Sequence, residues 1–276
     1  MSVAPTPVGA VIAADAIAIE IGGVCGVVRT KNVRFRRMLL ERYRNFLSAA
    51  WEPKFELEVE LLAVPDSPDL DADLEVSLRG GTWQLRRGDF SVTWDAATGR
   101  GRIRQTANPY SIDTVLRVLH SLLLAGEGGF LLHAASVIRS GKAFVFAGLS
   151  GAGKTTISRL APPDVTLLSD EISYLRPRGG SFRAYGTPFA GELSKAGENC
   201  SAPVAAVYLL DKGSENRVTP LSPSAAVRAL MRSILFFAQS AELVGSVFQS
   251  ACNFVAEVPV KRLTFAPDQR VWQTIG

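Results

Sequence analysis

The stretch Gly148-Leu149-Ser150-Gly151-Ala152-Gly153-Lys154-Thr155 fits the pattern G-x-x-x-x-G-K-[ST], and its flanks give the match a context. Lys142–Ala147 ahead of it is a short apolar run rich in strand formers, and Thr156–Leu160 behind it can open a helix. Strand, glycine loop and helix is the order in which backbone N–H groups turn inward on phosphate oxygens and a helix N-terminus adds its positive end. Read this way, Gly148, Ser150, Gly151, Ala152, Gly153, Lys154, Thr155 and Thr156 form a phosphate cradle. Lys154 reaches the β- and γ-phosphates, and the Thr155 hydroxyl ligates Mg²⁺. The loop thus reads as a nucleotide site; the expected cofactors are ATP and Mg²⁺, with another phosphoryl donor left open.

Two further groups lie at distances along the chain that a folded sheet can close. Leu167-Leu168-Ser169-Asp170-Glu171 is a short apolar strand ending in two acids. In a parallel sheet, the strand after the glycine-loop helix lies near the loop strand, with its C-terminal end on the phosphate side. One of Asp170 and Glu171 could then hold the metal while the other takes a proton from an attacking hydroxyl. Upstream, Leu131–Arg139 is a second strand candidate, separated from Lys142–Ala147 by Ser140-Gly141 alone. A two-residue hairpin turn there pairs residues whose numbers sum to 281, which brings His133 opposite Gly148. A lone histidine on an apolar strand can also be a satisfied core residue; its position opposite the loop favours a site role. His120, inside an apolar helical pattern, has no such argument and reads as structural.

The stretches Leu131–Ser136, Phe146–Thr156 and Leu167–Glu171 together resemble the catalytic domain of HPr kinase/phosphorylase. They are also similar to the nucleotide site of phosphoenolpyruvate carboxykinase, which shares that fold. The resemblance covers about residues 128–176, extends weakly through a helix expected at Pro223–Phe237, and leaves residues 1–110 unexplained. It implies phosphoryl transfer, with His133, Lys154, Asp170 and Glu171 as the catalytic set. Asp170 matches the base toward a serine hydroxyl, His133 a histidine near the reacting phosphate or a second metal, and Thr155, Asp170 and Glu171 the metal side. Two features depart from the family. The acidic pair is Asp-Glu where the family has Asp-Asp, and Tyr185–Glu192 stands where the kinase carries an extended glycine-rich signature. The resemblance therefore implies an HPr-kinase-like serine kinase acting on a protein or peptide. A kinase for a small molecule such as free serine, and a nucleotide-binding switch without transfer, are the alternatives. The kinase relatives form oligomers, so a homo-oligomer is a further expectation.

The rest of the chain suggests an α/β protein in two parts. Residues 111–276 read as the kinase-type domain and residues 1–110 as a small, strand-rich α+β domain, with Asn108-Pro109 between them. Upstream, Ala16–Val28 reads as a strand and Val33–Ala49 as a helix. Strands are expected at Phe55–Leu62, Leu74–Leu78, Thr82–Arg86, Phe90–Trp94 and Arg102–Gln105, and a helix from Ser111 to Leu124. Downstream, strands are expected at Val165–Leu168, Val204–Leu210 and Val258–Phe265, and a long, mobile, functional loop over Arg178–Pro203. Arg29–Arg44 carries seven basic residues and one acid, which reads as the solvated face of a helix. A net charge of +4 over 276 residues suits anionic ligands and is far from a nucleic-acid-binding arm. Three scattered cysteines fit neither a disulfide framework nor a zinc site. Met1–Ile21 lacks a basic start and carries Asp15 and Glu20, unlike a signal peptide, and no apolar run is long enough to span a membrane. The expected setting is the cytoplasm, with no membrane or nucleic-acid partner.

Overall fold

The structure, a computed structural model, describes residues 14–49, 52–63 and 72–275. The N-terminal stretch up to residue 13, which bears on the signal-peptide expectation, lies outside them. The chain is mixed α/β, with many strands and few helices, and divides into two compact units between Leu116 and Arg117. That division falls inside a helix rather than at Asn108-Pro109.

The first unit is one seven-stranded sheet. Its strands are β1 (Ala16–Ile21), β2 (Val24–Arg29), β3 (Phe55–Leu61), β4 (Glu75–Arg79), β5 (Thr82–Arg87), β6 (Phe90–Asp95) and β7 (Arg100–Gln105), in the order β1-β2-β3-β7-β6-β5-β4. The stretch read as one strand from Ala16 is two, because Gly22 and Gly23 both adopt positive φ and fold it into a hairpin. Helix α1 (Val33–Arg42) links β2 to its parallel neighbour β3. Asn32 caps it, its Oδ1 accepting the Phe35 N–H at 2.9 Å. The helix stops at Arg42, well short of Ala49. There Tyr43 is buried with its hydroxyl donating to Asp113 at 2.5 Å, and Arg42 pairs with the same carboxylate. A 3₁₀ turn over Arg44–Phe46 then leads the chain away. Arg34 and Arg37 are solvent-exposed. Asp113 belongs to α2 (Pro109–Glu127), the helix in which the two units divide.

The second unit is built on β8 (Phe130–Arg139), β9 (Lys142–Ala147), β10 (Thr166–Ser169), β11 (Ile172–Arg178), β12 (Ser181–Tyr185), β13 (Ser201–Lys212), β14 (Arg217–Pro220), β15 (Ile234–Leu235) and β16 (Val260–Phe265). Only β9, β13 and β16 run parallel side by side, while β8 and β14 flank them antiparallel. The sheet is therefore mixed rather than parallel. Helices α3 (Lys154–Arg159) and α6 (Val271–Thr274) cover one face, with Ile157, Val271 and Trp272 packed on Ala135, Val137, Phe144 and Phe146. Helices α4 (Pro223–Met231) and α5 (Ala241–Glu257) cover the other, with Leu230 and Phe254 packed on Leu132, Ala134, Val145 and Ala147. Strand alternation sends even-numbered residues of β8 to the α4–α5 face and odd-numbered ones to the α3 face.

Four expectations change here. The helix begun at Pro223 ends at Met231, because Ile234 and Leu235 leave to pair with β8. Helix α5 was not anticipated from the sequence. Neither were β11 and β12, which Gly179-Gly180 joins with both residues at positive φ. The long loop is accordingly shorter, spanning 186–200, and it is tied down. Thr187 N–H donates to Leu168 O at 3.0 Å and Glu198 N–H to Leu167 O at 2.9 Å. A Cβ on Gly197 would stand 1.7 Å from Leu168 O, so only glycine permits this approach.

Candidate functional site

The site is assembled along β8. The register of the β8–β9 hairpin runs from Arg139 opposite Lys142 to Ala134 opposite Ala147, so paired numbers sum to 281 throughout. Ser140 (φ 51°) and Gly141 (φ 73°) form the two-residue turn, both in the left-handed region. The ladder stops one pair before His133 and Gly148. The His133 N–H turns instead to Ser233 O at 2.7 Å, and Gly148 leaves the sheet to begin the loop. His133 is odd-numbered, and it lines the same pocket as Lys154 of α3.

On the other side of β8, β10 and β11 run as one interrupted strand. Leu167 pairs with Val137, then Ser169 with Ser136 and Ile172 with His133, so the register slips by one at Leu168. Asp170 and Glu171 sit in the break. A bulge of this kind bends a strand and re-aims the side chains next to it. Ser169 closes the break by accepting the Ile172 N–H at 2.8 Å and the Glu171 N–H at 3.2 Å, while Glu171 O accepts the Ala134 N–H at 2.9 Å. The acids thus reach the pocket across β8, one strand away from the loop strand β9.

A pocket of about 440 Å³ is lined by His133, Ser150, Gly151, Gly153, Lys154, Thr155, Thr156, Asp170, Glu171, Gly191 and Glu192. Every residue read from the sequence as a site residue lines it except Gly148 and Ala152, which form the base of the loop. A Cβ on Gly148 would come within 2.7 Å of the Ala152 Cβ. Gly151 and Gly153 supply positive φ (76° and 109°). Lys154 is only 9% exposed. Its ammonium donates to Gly148 O at 3.0 Å and Leu149 O at 3.4 Å. Burial pulls its pKa below the usual lysine value, and the negative charges of Glu192 and Glu171 partly restore it. Burial also lowers the His133 pKa, aided by the positive charges of Lys154 and Arg117, so the ring is held neutral at pH 7.

The acids have defined partners. Asp170 is buried, with Oδ1 accepting the Gly191 N–H at 2.9 Å and Oδ2 the Leu193 N–H at 2.8 Å. Glu171 lies 3.7 Å from the Arg117 guanidinium, which also stands over the Phe189 ring at 5.0 Å. Thr155 donates its hydroxyl to Glu192 Oε2 at 2.9 Å. Sequence reasoning did not single out Glu192, Gly191 or Arg117. Glu192 follows a glycine in a segment without periodicity, and Arg117 looks like one more polar position on α2. His120 is buried, with Nδ1 3.4 Å from the Tyr174 hydroxyl. In the first unit, a larger cavity of about 640 Å³ is lined by Arg29, Lys31 and Arg102 among others. Its charges are largely matched, Arg29 with Glu56 and Arg102 with Glu58, each at 3.4 Å, so it lacks the convergence found around the loop.

Fold and pocket together define a mixed α/β protein with a glycine-loop pocket walled by acids and one histidine. The chain belongs to the family described as SynChlorMet cassette protein ScmC, whose model matches residues 106–276. No curated protein matches. Among solved structures, the HPr(Ser) kinase/phosphatase from Coxiella burnetii is similar at 10% identity and a TM-score of 0.29, over 52% of this chain and 85% of that one. Among the described residues no helix is long and apolar enough to cross a membrane.

Proposed function

We propose that the chain is an ATP- and Mg²⁺-dependent kinase that moves the γ-phosphoryl group to a hydroxyl, that of a serine in a protein or peptide. The observation that carries this is one pocket holding the glycine loop, Lys154, Thr155, an acidic pair and a histidine. Pure binding needs no Asp170, Glu171 and His133 beside the loop; transfer does. The donors suit a hard cation, since the Thr155 hydroxyl and the Glu171 and Glu192 carboxylates offer only oxygen. Among the described residues no three His, Cys, Asp or Glu side chains form a closed metal cage. Mg²⁺ keeps water and phosphate ligands and takes few from protein. Bound Mg²⁺ would neutralise charge on the transferring phosphate.

The residues divide the remaining work. Loop N–H groups and the Lys154 ammonium bind the phosphates, with Lys154 exchanging its carbonyl partners for phosphate oxygen. Asp170 receives the proton of the acceptor hydroxyl as that oxygen bonds to the γ-phosphorus and the bond to the β,γ-bridging oxygen breaks. Neutral His133 offers a hydrogen bond to the transferring group. Arg117 holds Glu171 in place.

The test is labelling with γ-³²P ATP in an extract and with serine peptides, for the parent and for Lys154→Ala. The parent should form an acid-stable phosphoester, and the variant should lose about 10²–10³ of the rate. Lys154→Ala removes a desolvated cation, so folding should survive. Equal labelling by both would overturn the role of the loop. Tight ATP binding by the parent with no labelled product would favour the switch.

A further inference from the structure

Opposite Thr155, across the mouth of the loop, stands an acid that the fold holds in place. Glu192 Oε2 accepts the Thr155 hydroxyl at 2.9 Å, and Glu192 lines the pocket beside Lys154. Asp170 grips the backbone on both sides of it, through the Gly191 N–H at 2.9 Å and the Leu193 N–H at 2.8 Å. The turn is pressed onto the acidic pair. A Cβ on Gly191 would come within 2.8 Å of Glu171 Cβ and 3.1 Å of Asp170 Oδ2, so the residue before Glu192 has to be glycine. The Glu171 charge faces Arg117 at 3.7 Å. Among the described residues no cation lies within ion-pairing distance of Glu192, whose hydrogen-bond partner is a neutral hydroxyl. A loop shaped for polyphosphate thus opens onto an exposed carboxylate. That carboxylate repels bare phosphate oxygens and attracts a phosphate that arrives with a divalent cation.

We infer that Glu192 makes polyphosphate binding at residues 148–155 conditional on a divalent cation: without one it holds the Thr155 hydroxyl and opposes phosphate, and with one it yields the hydroxyl and favours the complex. Asp170 is the positioning residue for this device. The inference rests on the nucleotide-binding reading above and adds its cation selectivity.

The experiment is calorimetric titration of the full chain with β,γ-imido-ATP, in EDTA and in Mg²⁺, for the parent, Glu192→Gln and Glu192→Asp. Glutamine keeps an acceptor for Thr155 and removes only the charge, at an exposed position where folding should be unaffected. Relative to the parent, Glu192→Gln should bind about fivefold more tightly in EDTA, and its gain from Mg²⁺ should shrink by a similar factor. That is the size of one unit charge acting over about 4 Å in a solvated site. Glu192→Asp retains the charge and should stay close to the parent in EDTA. If the parent binds with a clear Mg²⁺ gain and Glu192→Gln changes that gain less than twofold, the inference falls and nucleotide binding stands. If the parent binds in neither buffer, both fall.

Discussion

Asp170 shows how much one carboxylate can organise. Both its oxygens accept backbone N–H groups from a turn more than twenty residues away in sequence, and those bonds are charge-assisted. In Asp170→Asn the amide offers one oxygen, so one of the two N–H groups loses its acceptor. Hydrogen exchange at the Gly191 and Leu193 amides should then speed up by about tenfold to a hundredfold. Exchange in the β8–β9 hairpin should not change. If Gly191 and Leu193 exchange as in the parent, Asp170 does not hold the turn. The acid pair was legible at this scale because two carboxylates end an apolar run. Glu192 was not, since nothing in its neighbours distinguishes it from any exposed loop acid.

At the scale of elements, the hairpin of β8 and β9 was the most readable part of the sheet. Its register follows from a two-residue turn between apolar runs, a local matter of which residues tolerate positive φ. Ser140 pays for that conformation, because an L-residue with a Cβ is strained at φ 51°. Asparagine tolerates the left-handed region better, and Asn-Gly is the preferred pair for such turns. Ser140→Asn should therefore raise stability by about 0.5–1 kcal/mol and the melting temperature by roughly 1–4 °C. A lower melting temperature would mean that the turn is not the one described. By contrast, β10 and β11 form one strand broken at Asp170-Glu171, which no local pattern announces. Helix α5 did carry signals, with Ser240 as its cap and Val247, Ala251 and Phe254 on one buried face.

Across the whole molecule, both histidines are held neutral, and that sets an acid limit on stability. Burial, with the nearby charge of Arg176, lowers the His120 pKa to about 3, and burial lowers that of His133 as well. In the unfolded chain both titrate near 6.5. The unfolded state therefore binds more protons below pH 6.5, so their contribution is intact above that value and is lost as pH falls toward the folded-state values. For His120 alone the loss reaches at most roughly 5 kcal/mol by pH 3. Urea unfolding should weaken steadily from pH 6.5 to pH 4.5, before most carboxylates titrate. His120→Phe should flatten that slope while costing about 1 kcal/mol at pH 8, because the Tyr174 hydroxyl loses one of its partners. An unchanged slope in the variant would show that His120 is not the group responsible.

The sequence by itself determined what depends on neighbours along the chain. It gave the glycine loop between a strand and a helix, the hairpin that carries His133 to the edge of that loop, the alternating strands of the first unit, and the acids at the end of β10. Tertiary structure decided the rest. It inserted β8 between the loop strand and the acids, ended α1 at Arg42 where Asp113 takes Tyr43 and Arg42, set Arg117 beside Glu171, and brought Glu192 into the pocket. The physical reason is the range of the forces involved. Turn conformation and side-chain alternation are fixed within a few residues, whereas strand order and the approach of Gly191 and Gly197 to the acid-bearing strand depend on packing between segments far apart in sequence.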